Sequence, residues 1–224
     1  FKEKVNISSA FDKLISQKNE DLNLKHILLQ KSASNLRKSR LDAIPKFKRE
    51  LINNLNNLGI KEAQFEVELS EREEFSNSGK DEINFLFSAN IGSELNSISK
   101  VASGGELARV MISISYLCSD NNSVKCIIFD EIDSGVSGKI ADLMSEMMIR
   151  MSKNCQIISI THIPQIASKS DTHLLVYKQI NNGKTISKIK ELKTEERVGE
   201  IAKMLSGKKV SESAIKNAKE LLNL

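Results

Sequence analysis

Along the first 58 residues Leu, Ile and Phe recur among Lys, Asn, Glu and Ser, and no glycine appears before Gly59. Such a stretch predicts a long helix. Ile44, Phe47, Leu51, Leu55 and Leu58 step by three, four, four and three, which places them on one stripe. Phe11, Leu14, Ile15, Leu22, Leu28 and Leu36 follow that stripe less regularly. Pro45 has no amide to donate, so a kink or a restart of the helix is expected there, with a bend in the arm near it. The stripe suits either a coiled-coil partner or an amphipathic helical pair laid on a core.

After Gly59 the period changes to two. Phe65, Val67 and Leu69 alternate with Glu66 and Glu68, which predicts a half-exposed strand, and Ile83 to Phe87 predicts a second. The polar stretch Glu71 to Lys80 between them reads as a hairpin loop. Leu107 to Leu117 predicts a helix, Asn121 to Ser123 a loop, and Cys126 to Phe129 a parallel strand covered on both faces. A helix over Lys139 to Met151, a buried strand over Gln156 to Ile160, and strands at Leu174 to Tyr177 and Ile186 to Ile189 are expected to complete one sheet. Asn181 to Gly183 is expected to turn the last pair, and helices at Val198 to Leu205 and Ser211 to Leu222 follow. The fold class is therefore α/β, with a helical segment over 1–58 and a sheet-bearing lobe over 59–224.

Composition narrows the function classes. With 40% hydrophobic residues over 224 positions, the chain can bury one good-sized core. Phe1 stands where a Met would begin a chain and no leader follows it, so a fragment of a longer protein is expected. No apolar run approaches the roughly 18 residues that cross a bilayer, and the expectation is a cytoplasmic chain with no membrane partner. The three cysteines, Cys118, Cys126 and Cys155, lack C-x-x-C spacing and sit in apolar contexts that predict buried thiols, so neither a disulfide framework nor a zinc site is supported. A net charge of +4 permits contact with DNA without demanding it.

Three features carry chemistry. Ile127-Ile128-Phe129 delivers Asp130 and Glu131 to the carboxyl end of a strand, where open α/β sheets bind ligands. In a nucleotide hydrolase the first acid holds Mg²⁺, usually through water, and the second orients or deprotonates the attacking water. Two solvated acids at a strand end are the simpler alternative. Ser103-Gly104-Gly105-Glu106, just before a helix, offers backbone amides and a helix amino terminus to a phosphate, yet its S-x-x-E spacing equally makes a capping box. Read alone, the tetrapeptide fits the cap. His162 follows a strand and can reach a γ-phosphate or a water, or be a structural histidine, which is the reading for His26 and His173. Gly183-Lys184-Thr185 ends like a phosphate-binding Walker A loop, but Lys178 stands where that loop needs its first glycine. The chain has no Walker A motif.

The order of these pieces resembles the second half of an ABC-type ATPase head, and in detail the RecN-like, SMC-type DNA-repair ATPases. The resemblance lies in Phe85 to Asn90, in Val101-Ala102-Ser103-Gly104-Gly105-Glu106-Leu107, in Asp130 to Gly138, in Thr161 to Ala167, and in the tail from Arg197 to Leu222. It covers the chain from about Leu58, while the arm is similar only in character; Ala108 departs from the serine frequent in the family.

The resemblance implies the carboxy-terminal lobe of an ABC/SMC-type P-loop ATPase head with the end of a coiled-coil arm. It implies ATP and Mg²⁺ as ligands. Ser103, Gly104, Gly105 and Glu106 become the signature motif that meets ATP on a facing head, Asp130 the magnesium residue and Glu131 the catalytic base. Asp133, Ser134 and Gly135 begin a D-loop running to Gly138 across the dimer interface, and His162 becomes the switch histidine. The implied partners are an amino-terminal lobe bearing Walker A, a second head joined through sandwiched ATP, and DNA during double-strand-break repair near the nucleoid. Without Walker A the chain alone is expected to hydrolyse ATP poorly or not at all. Another SMC-like head, or a non-catalytic dimerisation and coiled-coil module, are the alternatives.

Overall fold

The computed structural model describes residues 2–100, 103–119, 124–136, 138–181, 184–207 and 209–224, with side chains from Phe11 onward. The expected loop at Asn121 to Ser123, the turn residues Asn182 and Gly183, and Val101, Ala102, Ser137 and Lys208 lie outside the described residues. The contacts divide the chain into two units, residues 1–48 with 66–86 and residues 49–65 with 87–224.

Helix α1 runs over Lys2–Asn57 without interruption, with Pro45 inside it. The expected restart does not occur. Pro45 and Leu41, whose carbonyl loses its proline-blocked partner, are both exposed. In the first unit, α1 accompanies most of β1 (Gln64–Ser76) and β2 (Gly79–Ser88). The polar stretch expected as a loop is nearly all strand, and only Asn77 and Ser78 separate the two. Gly79 has φ +93 and the Ser76 hydroxyl donates to its carbonyl at 2.8 Å. Phe47 stacks on Phe85 with ring centres 5.9 Å apart, while Arg37 and Arg40 both bond to the buried Asp81 carboxylate. Burial by itself raises the pKa of Asp81, but the hydrogen bonds and charges of Arg40 and Arg37 outweigh it and hold this carboxyl below its ordinary value.

In the second unit a short strand, β3 (Asn96–Ser97), and a 3-10 turn at Ile98–Lys100 lead to α2 (Gly104–Ser119). Strand β4 (Cys126–Asp130), α3 (Gly138–Met151), β5 (Gln156–Ile160) and α4 (Pro164–Ser168) follow. Leu51, Leu55 and Leu58 of the predicted stripe are fully buried here. The main core joins Leu58, Ile112 and Phe129 to four methionines of α3, Met144, Met147, Met148 and Met151. Unbranched methionine fills the irregular space between two helices and a short sheet.

The sheet departs from expectation. Strands β4 and β5 pair in parallel, but only one face is covered, since Ile127 and Phe129 point into the core while Ile128 is 64% and Ile160 52% exposed. Cys126 lies on the open face and Cys118 on the outer side of α2, so both thiols are exposed and only Cys155 is buried as expected. Strands β6 (Leu174–Asn181) and β7 (Lys184–Glu191) do not complete this sheet. They form their own antiparallel ladder, with Asn181 opposite Lys184. Helices α5 (Thr194–Ser206) and α6 (Glu212–Leu221) close the unit, and Ile201, Ala202, Ala214 and Ala218 pack with Ala167 of α4. Small residues at that contact let the helices approach closely. Among the described residues no helix is long and apolar enough to cross a membrane.

Candidate functional site

The parallel register sets Asp130 of β4 beside Ile160 of β5, so both strands end at one edge. From that edge the chain releases Asp130 and Glu131 on one side and Thr161 and His162 on the other. Asp130, Glu131 and His162 are all exposed. A strand end followed by a turn frees the side chains from the ladder, which is why ligand-binding groups collect at such edges.

Glu131 has φ +49, in the left-handed region that a residue with a Cβ enters at a cost of about 1–2 kcal/mol. Two backbone bonds hold it there. Its amide donates to Ile160 O at 3.1 Å, and Ser134 N donates to its carbonyl at 3.1 Å. Val136 N then bonds Asp133 O at 3.1 Å and completes a compact turn.

Beside this turn lies the start of α2. Ser103 and Gly104 are exposed and Gly105 is buried. A Cβ on Gly105 would stand 2.7 Å from Gly135 O, so the two backbones touch and only glycine fits at 105. Gly135 itself has φ +74. The Ser103 carbonyl accepts from Leu107 N at 3.0 Å, but among the described residues no hydrogen bond joins the side chains of Ser103 and Glu106 to each other's amides. The capping box is therefore not closed. The first amides of α2 have no intrahelical acceptor; Ser103 and Gly104 are exposed where an anion can reach them, while Gly105 is buried against Gly135. Arg109 braces this turn, donating to Gly105 O at 2.9 Å and to Leu58 O at 3.3 Å.

Of the expected site residues, Asp130, Glu131 and His162 follow the two strand ends and Gly105 touches Gly135, while Glu106 lines a hollow with Gly59 to Glu62, Ala89 and Asn90. Ser134 and Gly135 are exposed, but the Asp133 side chain is turned inward and only 1% exposed, bonded to the Thr161 hydroxyl. It does not face outward as a D-loop acid expected to contact nucleotide would. Thr161, Arg109 and Gln165, whose Nε2 lies 3.2 Å from the place of a Gly138 Cβ, were not among the expected residues. Thr161 could have been found from its place directly after a buried strand, where a hydroxyl can serve a buried acid from the neighbouring strand.

Among the described residues no group of three or more His, Cys, Asp or Glu is placed to hold a metal ion. A Mg²⁺ bound through one carboxylate, water and phosphate oxygens needs no such group, and the exposed Asp130 fits that mode.

No protein-family model matches the chain. It is 40% identical over 214 residues to the DNA repair protein RecN of Rickettsia felis, a match covering 94% of this chain and 39% of that one. The DNA repair protein RecN of Halalkalibacterium halodurans is 34% identical over 217 residues, covering 95% and 38%. The chain belongs to the RecN family. To the RecN of Bacillus subtilis it is 44% identical over 149 residues, 66% of this chain and 26% of the relative. The chain spans at most about two fifths of the length of these RecN relatives. Among solved structures, the Smc head domain with a coiled coil and joint from Pyrococcus yayanosii aligns with a TM-score of 0.56 at 16% identity, over 75% of this chain and 30% of that one. The Smc head domain with an extended coiled coil from Pyrococcus furiosus gives 0.52 at 18% identity, over 70% and 37%. The chain therefore has the mixed α/β fold of SMC head domains, with its long helix fitting a coiled-coil arm.

Proposed function

We propose that this chain supplies one half of an ATP site in a RecN-type DNA-repair ATPase, with residues 1–58 ending a coiled-coil arm and 59–224 forming a lobe of the head. One observation carries the reading. Glu131, held in a left-handed conformation at the end of β4, shares its turn with Gly135, against which Gly105 in the first turn of α2 is packed. Backbone strain at an exposed acid persists only where surrounding bonds fix it, and such sites cluster where chemistry occurs.

Each residue then has a task. The amides at Ser103 to Gly105 receive the γ-phosphate of ATP held by a facing head, with the helix amino terminus supplying partial positive charge. Asp130 holds Mg²⁺ through water; bound there, the ion neutralises phosphate charge. Glu131 accepts the proton of the attacking water, and His162 orients that water or the γ-phosphate. Ser134 and Gly135 line the head–head contact. A Walker A loop comes from the remainder of the protein, whose lobe covers the open face of β4 and β5. ATP joins two heads and its hydrolysis releases them, moving the arms and altering the hold on DNA. Such a protein works in the cytoplasm at the nucleoid.

The reading is tested by assembling this chain with the Walker A-bearing portion of a RecN protein and following head association in the analytical ultracentrifuge. ATP should drive dimerisation when Glu131→Gln slows turnover, and Ser103→Arg should prevent it. ATP-independent association, or dimerisation indifferent to Ser103→Arg, would contradict the assignment.

A further inference from the structure

Asp133 is an aspartate with almost no access to water, yet among the described residues only one of its oxygens has a hydrogen-bond partner. Oδ2 accepts the hydroxyl of Thr161, and that hydroxyl in turn accepts the Ile163 amide at 3.0 Å. Oδ1 is buried and, among the described residues, has no hydrogen-bond partner. A buried carboxylate oxygen left without a donor costs more than one exposed to water, so a donor close by is drawn to it. Nδ1 of His162 stands 3.8 Å from Oδ1, while the His162 side chain is otherwise 73% exposed.

We propose that Asp133 is a positioning residue for His162, taking the Nδ1 proton on Oδ1 and so presenting Nε2 to the space beyond the ends of β4 and β5. The separation of 3.8 Å is too long for a hydrogen bond, but a small rotation of an exposed ring closes it, and contacts of this kind shorten when a site fills. Thr161 makes the arrangement one-sided. With Oδ2 committed to the hydroxyl, the carboxylate cannot turn Oδ1 away from the ring. The hydroxyl is itself fixed by the Ile163 amide, so the holding groups form one chain from the α4 entry to the imidazole.

The chemical result is a defined histidine. A neutral ring whose Nδ1 proton is held by Asp133 presents an Nε2 lone pair, a proton acceptor. A protonated ring presents an Nε2–H donor, with its charge balanced by the buried carboxylate. The proposed function is needed only to say what Nε2 meets; the pairing of Asp133 with His162 can fail or hold independently of ATP.

The test is a long-range proton–nitrogen NMR spectrum of the 224-residue chain labelled with ¹⁵N-histidine, at about pH 8.5, where an ordinary histidine is neutral. The chain has three histidines, so His162→Gln assigns the signal, and those of His26 and His173 report whether the fold is intact. His162 is expected in the Nδ1–H form. Asp133→Asn should convert it to the Nε2–H form, because the asparagine carbonyl still accepts from Thr161 while its amide now donates to Nδ1. A wild-type His162 in the Nε2–H form overturns the proposal, and so does an Asp133→Asn chain with unmoved His26 and His173 signals and an unchanged His162 tautomer. Should Asp133→Asn not fold, the wild-type tautomer decides alone. ATP turnover enters none of these outcomes, so they stand apart from the test of the ATPase reading.

Discussion

Gly105 and Gly135 meet backbone to backbone, with the place of a Gly105 Cβ only 2.7 Å from the Gly135 carbonyl oxygen. This contact ties the first turn of α2 to the turn that carries Glu131. Among the described residues, Gly104, one residue earlier, has nothing within 4 Å of the place of its Cβ. Gly105→Ala should therefore destabilise the fold by about 1–3 kcal/mol, the ordinary cost of forcing atoms into filled space. Gly104→Ala should leave stability within about 0.5 kcal/mol of wild type. Urea unfolding of the two variants checks the contrast.

A second prediction concerns Glu131 itself. Its φ of +49 penalises any residue with a Cβ, whereas glycine enters that region freely. Glu131→Gly should be more stable than Glu131→Ala by about 1 kcal/mol, the reverse of their order in a helix. Paired thermal or urea melts decide it.

The sequence made many of the elements around the candidate site legible, for physical reasons that also explain the failures. Strand β5 and helices α2 and α3 carry apolar periods strong enough to fix type and extent within three residues. The polar residues Glu71 to Ser76 form strand although they carry no apolar alternation, since most of that stretch is exposed on both faces and pairing with β2 supplies what pattern does not. The five-residue α4 is too short to show a period. The place of Asp130 and Glu131 at a strand end and of Ser103 to Glu106 at a helix start was readable because it depends on local spacing. The burial of Asp133 was not, because it depends on Thr161, 28 positions away, and an aspartate is by default read as exposed.

Acid should weaken the first unit. The folded pKa of Asp81 lies below its ordinary value, so the unfolded chain binds the proton more readily. The stabilisation is present above the ordinary carboxylate value near 3.8 and is lost as the pH falls through the lower folded value. Asp81→Asn should lower the melting temperature at neutral pH and remove this part of the acid sensitivity. Melts of both chains between about pH 7 and pH 2 measure it.

Thiol chemistry reports the open sheet face. Cys118 and Cys126 are exposed and Cys155 is buried, so two thiols should react quickly with a water-soluble disulfide reagent and the third only on unfolding. If a Walker A-bearing lobe covers β4 and β5, adding it should protect Cys126 and leave Cys155 unchanged. Mass spectrometry of the labelled peptides reads each site separately.

Glu131 is proposed to activate water in an ATP site completed by another part of a RecN-family protein. The most direct measurement is steady-state ATP hydrolysis by this chain mixed with a separately made Walker A-bearing portion, beside the same mixture carrying Glu131→Gln. Hydrolysis should require both parts, and Glu131→Gln should reduce it on the order of 10²-fold or more. Equal rates from the wild-type and Glu131→Gln mixtures, or no hydrolysis from two folded and associated parts, would contradict the account.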